Sequence, residues 1–219
     1  MSSTSLQHAS HDALAPRHHD HGHIIEYTPQ QRLRINRLGL WLFIISEVFL
    51  FSGILVARIV LLRDDEGFTR PELDQKLGLL ITSILLASSF AVNFGEVAIT
   101  YGKQRIFEIS YAVAILMGII FVGGVGYEWT VAAHFTADEH VEGGMFFFMT
   151  GMHALHVITG ILFLIVVFFN GRRGLYNKEN HWAVEASAIY WHFVDVVWVF
   201  FYVGLYLVGH VPEVTRILG

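Results

Sequence analysis

AIYWHFVDVVWVFFYVGLYL, residues 188–207, is a run in which His192 and Asp195 are the only strongly polar side chains. A helix rises 1.5 Å per residue, so about 20 such residues cross the roughly 30 Å hydrocarbon core of a bilayer. Working outward, that span covers 184–209, and four further stretches meet the same requirement, at 38–62, 77–100, 107–128 and 145–170. None alternates with the period of two over about ten residues that a membrane β-barrel strand needs. The sequence predicts an all-α integral membrane protein, a bundle of five transmembrane helices.

Composition agrees. Of 219 residues, 54% are hydrophobic, 14% aromatic and 15% charged, where a soluble domain carries about a quarter charged residues. The formal charge of −5 argues against a nucleic-acid partner, which needs a basic face. The absence of cysteine excludes disulfides, thiolate metal sites and a cysteine nucleophile. Three segments follow: a polar, His-rich tail at 1–33, expected to be disordered, the five-helix domain at 34–210, and a tail at 211–219. Residues 1–30 hold no apolar h-region, so they do not read as a secretory signal, and the first apolar run reads as a retained anchor. The tract HHDHGH (18–23) reads as a solvated tail whose imidazoles have only weak metal-binding capacity.

Basic residues set the expected orientation. Arg32, Arg34, Arg37, Lys103, Arg105, Arg172, Arg173 and Lys178 fall on one side, against Arg63, Arg70, Lys76 and Arg216 on the other. The loop 129–144 lacks Lys and Arg and carries Asp138, Glu139 and Glu142. The N-terminus is therefore expected in the cytoplasm and the C-terminus outside. The prolines, Pro16, Pro29, Pro71 and Pro212, lie in loops and tails, so no span carries the break that many transporters use at a midplane site. No internal repeat is visible.

Ionisable side chains at membrane depth are costly and mark candidate sites. Glu47 sits among Ile44, Ile45, Val48 and Phe49 with no base at helical spacing, and reads as a proton-handling or packing-interface carboxyl. His192 and Asp195 stand three residues apart and could form a charge-assisted pair acting as interhelical glue. His153 and His156 repeat that spacing. Bis-histidine haem ligation needs ligands on opposite sides of the macrocycle, so neither pair can clamp one haem alone, although a His153 or His156 facing His192 stays geometrically open. Zinc or copper needs at least three convergent ligands, too many for these candidates. Glu96 and Glu128 lie near span ends, where snorkelling or end-capping accounts for them. The aromatics Tyr190, Trp191, Phe193, Trp198, Phe200, Phe201, Tyr202 and Tyr206 surround the last helix and are expected to meet partner helices or lipid, in a subunit with few internal polar contacts.

The run 188–207 closely resembles the last helix of subunit III of the haem–copper respiratory oxidases. The resemblance extends to ENHWAVEA (179–186), MTGMHALHVITGILFLI (149–165), LWLFIISEVFLFSG (40–53), SILLASS (83–89) and GYEW (126–129). It implies a non-redox accessory subunit of a proton-pumping terminal oxidase in aerobic respiration, packed on subunit I, with subunit II and further subunits as neighbours. It implies no catalytic or metal residue in this chain, haem and copper in partner subunits, bound phospholipid, and a place in a bacterial inner membrane. Glu47, in SEVFLF, falls on the family's intramembrane glutamate. His153, His156, His192 and Asp195 match positions that look like interior hydrogen-bonding residues. Seven-helix members have two further N-terminal helices enclosing a lipid cleft, whereas here a polar tail leads directly to the family's third helix. Five-helix versions occur in bacterial quinol oxidases and some bacterial cytochrome c oxidases, with cytochrome c the favoured donor. Two alternatives stay open: a subunit-III-like protein associated with nitric oxide reduction, and a free-standing proton-coupled transporter using Glu47 and the His–Asp pair.

Overall fold

The computed structural model describes residues 27–64, 67–68, 73–132 and 141–209. The His-rich tract 18–23, Arg70, Pro71, Asp138, Glu139 and the tail at 211–219 lie outside the described residues. Among the described residues five helices are long and apolar enough to cross a membrane: α1 (Pro29–Leu61), α2 (Gln75–Thr100), α3 (Gln104–Tyr127), α4 (Val141–Arg172) and α5 (Trp182–Tyr202). Two two-residue strands, β1 (Arg63–Asp64) and β2 (Gly67–Phe68), pair antiparallel after α1. Single π-helical turns extend α3 through Glu128–Ala132 and α5 through Val203–Leu207.

The helices overrun the apolar stretches because polar residues cap them. α1 begins nine residues before the run at 38–62, with Pro29 in its first turn and a capping box in which Thr28 and Gln31 bond each other's backbone N–H. Arg32, Arg34 and Arg37 therefore ride on the helix, where the sequence placed a tail and its boundary. Asp74 accepts from Lys76 and Leu77 N–H to start α2. The α2–α3 turn closes through Gly102, at φ +70°, with Lys103 N–H reaching back to Ala98 O at 2.8 Å.

α5 is the axis of the bundle, packed against α1, α2 and α4, while α3 lies between α2 and α4. α1 is the most peripheral helix, with 17% of its apolar window buried against 56% for α5. Trp191, fully buried on α5, is the keystone. Its indole N–H donates to Ser88 Oγ of α2 at 2.9 Å, and its ring rests on Gly118 of α3 and Gly160 of α4. A Cβ at either glycine would come within 2.8 and 3.0 Å of that ring. Trp198 repeats the contact one level away, donating to Thr82 Oγ1 at 2.9 Å and packing edge-on against Phe121.

The α5 aromatics thus correct the sequence expectation. Trp191, Trp198, Phe201, Tyr190 and Tyr206 are buried within this chain, and only Phe200 stands well out, at 62% exposed. Internal polar contacts are also numerous, because each buried indole or phenol must find an oxygen inside hydrocarbon.

Candidate functional site

Glu47 on α1 and His156 on α4 meet across the bundle, Oε2 to Nε2 at 3.0 Å. The sequence singled out both but paired neither with the other. His156 Nδ1 lies 2.7 Å from Met152 O. A carbonyl can only accept, so Nδ1 carries a hydrogen. The 3.0 Å contact then holds one further proton, on Glu47 donating to a neutral imidazole or on Nε2 donating to a carboxylate. Both forms are net neutral, so the pair shares one proton without placing uncompensated charge in the membrane. Phe51 packs edge-on against His156 at 4.7 Å, and Tyr190 bonds Thr159 at 2.9 Å beside it. Glu47, His156, Thr159 and Tyr190 edge a cavity of about 490 Å³ between α1, α4 and α5, otherwise walled by apolar side chains such as Leu40 and Phe163.

The expected His192–Asp195 pair is not formed. His192 Nδ1 lies 2.5 Å from Ser89 Oγ of α2. Ser89 also lies beside Asp195, yet among the described residues neither carboxyl oxygen has a hydrogen-bond partner of good geometry. The side chains three residues apart diverge because α2 presents a hydroxyl closer to the imidazole. His153 and His156 diverge too: His153 is fully buried, its ring against Trp198 at 4.7 Å and Phe121 at 5.8 Å, with no partner for either nitrogen among the described residues.

Glu128 is not a snorkelling group. It is 1% exposed, and both carboxyl oxygens contact the Tyr206 hydroxyl, at 2.7 and 2.6 Å. The link ties the π turn after α3 to that after α5, and Gly78 of α2 abuts the same phenol ring. Glu96 is half-buried near the C-terminal end of α2, within electrostatic reach of Glu185 and His181. Glu185 there holds Arg37 at 3.1 Å and His181 at 3.2 Å. Arg58 escaped the sequence reading although it interrupts the first apolar run. It is buried, and its guanidinium donates to Val208 O at 3.3 Å.

Among the described residues no three His, Asp or Glu side chains converge as metal ligands. Of the imidazoles the sequence offered for haem, His156 is engaged at both nitrogens and aromatic rings cover His153, so His192, held at Nδ1 by Ser89, faces neither as the second ligand of a bis-histidine set.

The fold and these groups define a multi-pass α-helical membrane protein whose intramembrane polar side chains join its own helices. A sequence profile described as Cytochrome c oxidase subunit III matches residues 68–210. The chain is similar to cytochrome c oxidase subunit 3 of Thermostichus vulcanus, at 36% identity over 173 residues, covering 78% of this chain and 86% of that protein. It is likewise similar to the subunit 3 proteins of Triticum aestivum, at 38% identity, and Mus musculus, at 36%. Each of those matches spans 182 residues and 79% of this chain, covering 68% of the wheat and 69% of the mouse protein. The chain belongs to the cytochrome c oxidase subunit III family, subunit III of the haem–copper oxidases.

Proposed function

We propose that this chain is a non-redox accessory subunit of a proton-pumping terminal oxidase, and that its Glu47–His156 pair holds a proton at membrane depth to sustain proton uptake by the catalytic subunit. It packs on subunit I, with subunit II and further subunits nearby, in a bacterial inner membrane with its N-terminus in the cytoplasm. Haem and copper reside in the partners, cytochrome c is the donor, and phospholipid occupies apolar grooves of the bundle. The observation that carries the proton-handling part is the 3.0 Å contact between Glu47 and an imidazole already anchored by Met152 O.

The test is Glu47→Gln in the intact oxidase. The glutamine amide still donates to His156 Nε2, so the contact survives while the transferable proton is lost. The expected result is normal assembly, judged by haem co-purifying with this chain, with turnover that declines sooner than in the wild type. Turnover of unchanged rate and durability overturns proton handling and leaves the pair a structural link.

A further inference from the structure

We infer that the face shared by α2 and α5, centred on Asn93, seats a membrane-spanning helix of another polypeptide that offers it a hydrogen-bonding side chain. This deepens the proposed function and rests on it, since it locates where the oxidase assembles on this chain.

Asn93 stands seven residues before the last residue of α2, Thr100, about 10 Å along the axis. The 26 residues of α2 span roughly 39 Å against a hydrocarbon core of about 30 Å, so a centred α2 puts Asn93 inside that core. Its side chain is exposed and makes no hydrogen bond with the described residues, and it is too short to snorkel to the interface. Exposed Ser46, Ser83 and Thr159 differ from it, for each donates to a carbonyl of its own helix.

Asn93 is not alone. One turn earlier Ser89 engages His192 Nδ1, and His192 is half-buried with no described partner for Nε2. One turn later comes half-buried Glu96. Along α2 around this polar centre stand Leu86, Phe90 and Val97, all exposed, Phe90 at 69%, and the apolar face continues on α5 through exposed Val196 and Val199, level with the first half of α2. An acyl chain offers Asn93 neither donor nor acceptor, whereas a facing helix can offer both. The outer face of α3, by contrast, presents Ile109, Val113, Leu116 and Ile120 and suits lipid. A second copy would set Asn93 against its own image across a twofold axis. The heteromeric family favours a different polypeptide.

The test uses the complete oxidase in native membranes. A photoreactive benzophenone amino acid replaces Phe90, and in a separate variant Leu116, and adducts are identified by mass spectrometry. Position 90 is expected to capture another polypeptide and position 116 lipid. In parallel, Asn93→Leu is expected to lower the share of this chain recovered with haem about threefold or more, the worth of one interhelical hydrogen bond. Asn93→Gln should restore it. Capture at 90 of lipid alone or of a second copy overturns the inference, as does undiminished recovery of Asn93→Leu. Recovery of the wild-type chain without haem instead refutes the proposed function, while a polypeptide adduct at position 90 would still uphold the docking face.

Discussion

The contact of Trp191 with three other helices makes the bundle's stability testable at one residue. Inside lipid there is little hydrophobic drive between helices, so the loss on truncation comes from forfeited packing and the cavity left behind. Trp191→Ala removes on the order of 140 Å³ of side chain, which at about 24 cal/mol per Å³ of unrelaxed cavity is about 3 kcal/mol. Gly118→Ala acts oppositely: its Cβ would sit 2.8 Å from Trp191 Cη2 and 3.1 Å from Ile161, an overpacking costing about 1–3 kcal/mol. The decisive variant is Gly118→Ala combined with Trp191→Phe. Phenylalanine lacks the outer ring atoms that meet Gly118, so the new methyl enters space the indole held. The two changes together should cost at least about 1 kcal/mol less than their sum. Unfolding of each variant by titration with denaturing detergent, followed by far-UV circular dichroism, supplies the four corners of the cycle. Additivity within about 0.5 kcal/mol would refute the claim that α3 and α5 are locked through this contact.

Tyr206→Phe should strand the buried Glu128 carboxyl and cost about 1–3 kcal/mol in the same titration; a negligible change would show that the π turns after α3 and α5 are held by other contacts. Glu47→Leu leaves His156 Nε2 without its partner and should loosen α1 by about 0.6–2 kcal/mol, read as faster proteolysis of α1 in detergent, whereas Glu47→Gln should match the wild type. Asp195→Asn should leave stability within about 0.5 kcal/mol, because His192 already bonds Ser89; a large loss in detergent titration would restore the His192–Asp195 link. Arg37→Ala breaks a contact whose arginine is 52% exposed and should cost less than about 1 kcal/mol, measured by thermal unfolding at low and high salt.

The number of spans was legible in the sequence because hydrocarbon leaves a chain one solution: every backbone group must be satisfied within the segment, which makes length and apolarity sufficient evidence for a helix. The intramembrane polar residues were legible for the same reason, since each stands out against an apolar background. Helix ends were less so, because Thr28 and Pro29 carry α1 beyond its apolar run by capping, which hydropathy does not register. The family resemblance, carried by motifs in four of the five spans and at the end of the other, was also readable from order and spacing alone.

Which polar group meets which was decided only by the tertiary structure. Glu47 and His156 are 109 positions apart, and Ser89 and His192 are 103; no periodicity within a helix encodes such contacts. Spacing suggested instead the nearest pair, His192 with Asp195, and was wrong because a helix fixes only the direction of a side chain while the neighbouring helix supplies the partner. Glu128 looked like an end group because depth was measured along the chain, yet Tyr206 from another helix covers it. The sequence by itself determined that polar groups would lie in the membrane, through the cost of putting them there. Their pairing depended on how five rigid rods pack together, four of them meeting at Trp191, where glycines at 118 and 160 let the backbones approach.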